Sequence, residues 1–87
     1  MSATGRMIRV ALLRRAFLDS GLTASEVCRR LEWVRPDGRP DTSRLRRALG
    51  IVPYHSRGYV KFADKISIAR AELIADALDA DPWEVGL

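Results

Sequence analysis

Apolar residues recur at three- and four-residue spacings in most of the chain and alternate in one short stretch. Between 7 and 20, Ile8, Leu12, Leu13, Ala16 and Phe17 mark one side of a helix with no Gly or Pro inside it. Arg14 and Arg15 lie off that side, and Gly21 follows as a left-handed terminator would. Thr23-Ala-Ser-Glu26 then reads as a capping box, in which the Thr23 hydroxyl accepts from the third amide and Glu26 reaches back. Leu22 and Val27 supply the apolar staple around it. The helix that starts at Ala24 turns Val27, Cys28 and Leu31 inward and Arg29 and Arg30 outward, and should end near Trp33 or Val34. In this reading Trp33 is a lid over the helix pair.

Arg35-Pro36-Asp37-Gly38 places Pro and Gly where a turn needs them, with Arg35 and Arg39 projecting from the connector. Asp41 is a good N-cap for a helix over 42–49 that closes on Gly50. At about 100° per residue, Leu45, Ala48 and Leu49 face inward. Ser43 and Arg47 point outward, and Arg44 and Arg46 flank them. So short a helix cannot stand alone and must be held by the first two.

Over 51–62 the period changes. Ile51-Val-Pro-Tyr54 and Tyr59-Val-Lys-Phe62 bracket His55-Ser-Arg-Gly58, a β-hairpin pattern with glycine in its turn. With Arg57 at the tip and Lys61 on a strand, it is either a basic wing or an ordinary loop over the core. Ser67 caps a last long helix over 68–79, whose stripe is Ile68, Ala71, Ile74, Ala75 and Leu78. Leu73 and Ala77 fall off that stripe and would suit extra core or a homodimer seam. Pro82 opens a further helical turn in which Trp83 and Val85 anchor the C-terminus by packing.

The pattern as a whole predicts a mostly α fold. It is a small bundle of four to five helices with a short β-hairpin, one domain over 7–87 behind a disordered arm over 1–6. At 87 residues there is room for one modest core, and 47% apolar with 30% charged residues are globular values. No apolar run approaches the ~18 residues of a membrane span. The N-terminus lacks the apolar core of a secretion signal, so the expected compartment is cytoplasmic. The single cysteine, Cys28, sits among core positions and can form neither an internal disulfide nor a cysteine-based zinc site.

Charge sharpens this picture. The net charge of +4 divides unevenly, with thirteen basic and five acidic residues up to Lys61 but two basic and six acidic beyond it. A basic front and an acidic back suit a protein that turns one side to a polyanion. Thirteen of the fifteen basic residues are arginines, whose planar forks match phosphate and guanine edges. Chemistry beyond binding finds little support. There is no glycine-rich phosphate loop, no His/Cys cluster and no nucleophile–base pair, and the lone His55 has no partners at ligand spacing. Neither catalysis, a metal, a cofactor nor a small-molecule substrate is expected.

Three segments carry a resemblance. They are Leu13-Arg-Arg-Ala-Phe-Leu-Asp-Ser-Gly-Leu-Thr-Ala-Ser-Glu-Val-Cys-Arg-Arg-Leu31, Thr42-Ser-Arg-Leu-Arg-Arg-Ala-Leu-Gly50 and Ile74-Ala-Asp-Ala-Leu-Asp-Ala-Asp-Pro-Trp-Glu-Val85. Together they resemble the Cro/repressor (XRE-like) helix-turn-helix proteins of temperate phages and bacteria, over about residues 7 to 86. Two features depart from that pattern. Residues 34–40 replace a turn of ~3–4 residues, and a hairpin stands where the family more often has a helix or loop.

The resemblance and the basic helix over 42–49 together imply a sequence-specific double-stranded DNA-binding regulator that occupies an operator, as a homodimer if it self-associates. Thr42, Ser43, Arg44 and Arg47 are the expected base readers, with the two arginines suited to guanine. Arg29, Arg30, Arg35, Arg39, Arg46, Arg57 and Lys61 are the expected phosphate contacts. Two alternatives stay open. One is an excisionase-like or architectural DNA-binding protein with the hairpin as its wing. The other is a protein-interaction module, such as an antirepressor or host-factor inhibitor, that grips an acidic partner.

Overall fold

The computed structural model describes residues 6–87. Its elements run β1 (Met7–Arg9), α1 (Ala11–Ser20), α2 (Ala24–Leu31), α3 (Thr42–Ala48), β2 (Tyr54–Ser56), β3 (Tyr59–Lys61), β4 (Lys65–Ser67) and α4 (Ile68–Ala77). A short 3-10 helix, Pro82–Val85, ends the chain. β1 pairs with β4 and β2 with β3, both antiparallel. The expected mostly α bundle is therefore a mixed α/β fold, in which the helices and the β1–β4 sheet share one core and the β2–β3 sheet lies outside it. No described helix is long and apolar enough to cross a membrane.

The first difference lies at the start. A helix was expected from Met7, but Met7–Arg9 is a strand with Ile8 opposite Ile66, and the helix begins at Ala11. The Val10 amide donates to the Asp64 carbonyl at 3.0 Å, which extends the chain and delays the helix. The inward set becomes Val10, Leu13 and Phe17, and Leu12 turns out to solvent at 51% exposed. A β-branched residue reads equally well in a strand, and only the distant Ile66 decides between the two. Most of the expected N-terminal arm lies outside the described residues. Arg6, its last member, accepts from the Ile68 amide at 3.2 Å and so ties the strand to the start of α4.

The two central helices follow local chemistry closely. The Thr23 hydroxyl accepts from the Glu26 amide at 3.1 Å, the forward half of the capping box. α2 stops at Leu31, two to three residues early, because Glu32 adopts a left-handed conformation (φ 60°). The Trp33 amide then folds back to donate to the Cys28 carbonyl at 2.9 Å. α3 is capped by Asp41, whose carboxylate accepts from the Arg44 amide at 3.3 Å. It ends one residue before the expected Leu49, which forms its C-cap.

Leu45, Ala48 and Leu49 sit in the core with Leu13, Val27, Cys28, Ile74 and Val85. Full burial of a leucine such as Leu45 is worth about 1.5–3 kcal/mol, enough to hold seven residues of helix that have little stability alone. Gly50 (φ 72°) closes α3, and a Cβ there would run into the Ala63 carbonyl oxygen. The Arg14 guanidinium donates to the Leu49 carbonyl at 3.2 Å. The C-terminus of α3 is thereby clamped between α1 and the segment that follows the hairpin.

Ser67 caps α4 through the Arg70 amide at 3.3 Å. The helix ends at Ala77, two residues short of expectation, and Ala77 is buried rather than off the stripe. Of the two residues offered as a homodimer seam, only Leu73 is exposed. Val85 anchors the C-terminus as expected, but Trp83 stands 73% exposed and does not.

Candidate nucleic-acid interface

Two excursions frame α3 in the chain. The first is the connector, which is built as a closed loop. Val34 and Pro40 form an antiparallel bridge, and the Arg35 amide donates to the Arg39 carbonyl at 2.8 Å. The Gly38 amide donates to the Arg35 carbonyl at 2.8 Å and closes the turn. At its base the Asp41 amide donates to the Trp33 carbonyl at 2.9 Å, so the loop returns to the point where it left. Trp33 is 8% exposed and belongs to the core, as its reading as a lid requires. Arg35 and Arg39 are exposed on this loop, and Arg39 makes only a loose 3.8 Å pair with Asp37.

The second excursion is the β2–β3 hairpin, narrower than the predicted 51–62. Its register is Tyr54 with Lys61, His55 with Val60 and Ser56 with Tyr59. Its two turn residues, Arg57 (φ 46°) and Gly58 (φ 84°), are both left-handed, the turn whose twist matches that of the strands. Alternation puts Tyr54, Ser56, Tyr59 and Lys61 on one face. That face borders a groove of about 660 Å³ also lined by Met7, Phe62 and Lys65. Pro53 lies outside the strand, which leaves the ladder unbroken.

α3 connects the two excursions through its arginines. The Arg44 guanidinium carbon lies 4.1 Å from the centroid of the Trp33 ring, a close stacking contact. The Arg47 guanidinium carbon lies 6.0 Å from the Tyr54 ring centroid, at the outer limit of such an interaction. Thr42 and Ser43 are half-buried in the first turn, and Arg46 is exposed in the last. Thr42, Ser43, Arg44, Arg46 and Arg47 thus sit on one helix, with Arg35 and Arg39 on the excursion before it and Arg57 and Lys61 on the one after.

Arg29 and Arg30 are placed differently. Arg29 is exposed on the last turn of α2. The Arg30 guanidinium donates to the Ala77 carbonyl at 2.7 Å and to the Asp79 carboxylate at 3.3 Å. Through this one guanidinium nitrogen it satisfies the C-terminal end of α4, where a cation is favoured, while the side chain stays 46% exposed. Neighbouring arginines in the sequence have separate jobs because adjacent residues on a helix point about 100° apart.

Cys28 lies behind the site. Its thiol donates to the Asp41 carbonyl at 3.4 Å, joining α2 to the cap of α3. Burial pushes the thiol pKa up and nearby Asp41 adds to this, while Arg46 and Arg44 pull the other way. It is a structural thiol held in its neutral form. Among the described residues no group of three or more His, Cys, Asp or Glu could hold a metal. The feature that sequence reasoning missed is the closure of the connector. The one signal for it was the symmetric placing of Val34 and Pro40 about Pro36-Asp37-Gly38.

No family model matches the chain, and neither a curated protein nor a solved structure matches it.

Proposed function

We propose that this chain is a sequence-specific double-stranded DNA-binding protein, a small transcriptional regulator of the repressor/Cro kind. α2 and α3 act as its helix-turn-helix, and α3 enters the major groove. The observation that carries this reading is the seven-residue α3 itself. Its apolar side is sunk in the core, its outer side carries exposed Arg44 and Arg46 beside half-buried Thr42, Ser43 and Arg47, and no acid follows its cap. Two basic excursions frame it. Thr42, Ser43, Arg44 and Arg47 read base edges, and Arg29, Arg35, Arg39, Arg46, Arg57 and Lys61 contact phosphates. Arg30, engaged with the end of α4, contributes to the fold more than to the interface. The working compartment is the one that holds the DNA, the cytoplasm of a bacterial cell.

The test is fluorescence anisotropy on a random pool of duplexes at two salt concentrations, with the bound fraction recovered and sequenced. Binding with a steep salt slope and an enriched site supports the reading. An enriched palindrome whose half-sites lie about one helical turn apart would add a homodimer. No binding at low salt overturns the reading and moves attention to an acidic protein partner.

The hairpin favours a second reading. Its paired strands and left-handed turn project Arg57 as a wing would, which suits an architectural or excisionase-like protein that binds adjacent sites and bends the duplex. Salt-sensitive binding with no enriched site, together with a ladder of bent complexes in a gel shift, would select it.

A further inference from the structure

We infer that Trp33 is a positioning residue that makes Arg44 the sharply discriminating base reader of α3, and that Arg47, resting loosely on Tyr54, is the permissive one. The inference rests on the DNA-binding reading and gives its two principal arginines different tasks.

The two platforms differ in how firmly they are held. Trp33 is 8% exposed and fixed on both sides of its backbone. Its amide donates to Cys28 at the end of α2, and its carbonyl accepts from Asp41 at the cap of α3. Arg44 is anchored near the same point, since its amide is bonded to the Asp41 carboxylate and carbonyl. Indole and guanidinium are therefore mounted on one rigid junction, 4.1 Å apart. Stacking occupies a face of the guanidinium and leaves its N–H edge available. Among the described residues, no hydrogen bond or ion pair takes that edge. A fork held in one orientation before binding loses little freedom on meeting guanine, and a wrong base cannot be accommodated by swinging it away. Arg44 also lies in the first turn of α3, the end that a recognition helix offers to base edges.

Arg47 lies one turn later, 6.0 Å from a tyrosine that is 45% exposed. Tyr54 belongs to a hairpin with six exposed strand residues. That platform can shift with the hairpin, so Arg47 can follow a change of base or retreat to a phosphate.

The test compares sequences enriched from a random duplex pool by wild type, Trp33→Phe, Trp33→Leu, Arg44→Ala, Tyr54→Ala and the Trp33→Leu/Arg44→Ala double variant, with folding followed by circular dichroism. Trp33→Leu should flatten one base position about tenfold, the same position that Arg44→Ala flattens, with non-specific affinity held within about twofold. The double variant should do no more than Arg44→Ala alone, Trp33→Phe should retain most of the preference, and Tyr54→Ala should change no position more than about threefold. Losses spread evenly over all positions, or different positions flattened by Trp33→Leu and Arg44→Ala, would overturn the inference. Should Trp33→Leu fail to fold, the indole emission of the free protein decides through Arg44→Met, and an unchanged spectrum overturns the inference.

A wild-type protein that enriches nothing would defeat the sequence-specific DNA reading instead. The pair itself is then tested in the free protein. In a Trp83→Phe background, Trp33 is the sole indole, and Arg44→Met should change its emission maximum or intensity. An unchanged spectrum removes the stacking on which the inference stands.

Discussion

The loop over 34–40 and the β2–β3 hairpin look like two versions of one device, a basic excursion beside α3, yet they are held by different forces. The connector has one bridge and a tight turn, but its base is Trp33, buried in the core, and Asp41, which caps α3. The hairpin has three paired positions and a well-formed turn, but all six strand residues are exposed. One excursion borrows stability from the core. The other depends on its own turn, and a two-stranded ribbon alone is marginal in water. More paired positions therefore do not mean a firmer platform, because burial of the base counts for more.

The largest effect should come from removing the platforms in turn. Trp33→Ala empties a core position and should cost about 3–5 kcal/mol in urea unfolding. Tyr54→Ala should cost under about 1 kcal/mol, because its ring is half exposed and packs only at the edge of a groove. Equal losses would erase the distinction between the excursions.

Next come the two turn glycines. Gly38 and Gly58 share φ 84° and have nothing within 4 Å of a would-be Cβ, so alanine at either meets a purely conformational cost. That cost is about 1–2 kcal/mol. In the connector it should appear as a lower global stability. In the hairpin it should appear as local opening, read by faster amide exchange at Tyr59–Lys61 with little change in the global midpoint.

A smaller effect concerns the thiol under the connector. Because the Cys28 pKa is raised in the folded protein above its ordinary value of 9.0, the native state holds its proton more tightly than the unfolded chain. The associated stability is present in full below that value and is lost as pH rises through the folded pKa. Cys28→Ala should then show a shallower fall in urea midpoint than wild type above about pH 9. Parallel profiles would show that the thiol is not coupled to folding.

The smallest effects separate the tips. Arg39→Ala and Arg57→Ala should each reduce the salt slope of DNA binding by about one and weaken binding on all sequences alike. If only Arg39 matters, the hairpin is cover for the core and not a wing.

Much of this was legible in the sequence because it depended on neighbours within a few residues. The caps at Thr23, Asp41 and Ser67, the inward set of α3 and the hairpin turn at Arg57-Gly58 were all readable from short windows. The misreadings share a cause. Ile8 was assigned to a helix because its partner, Ile66, lies 58 positions away. Trp83 was packed because tryptophans usually are, and only the path of the last turn exposes it. Arg29 and Arg30 looked equivalent until the end of α4 arrived beside one of them.

The sequence by itself determined the helices that carry caps and terminators, the basic and acidic halves, and a short helix rich in outward arginines. Hydrogen bonds and periodicity within three or four residues are enough to specify these. Only the tertiary structure decided that β1 is a strand, that the connector is closed, and that Arg44 lies on Trp33 while Arg47 leans on Tyr54. Those outcomes depend on pairings between segments, and the free energy of burying one residue against another is not a property of either alone.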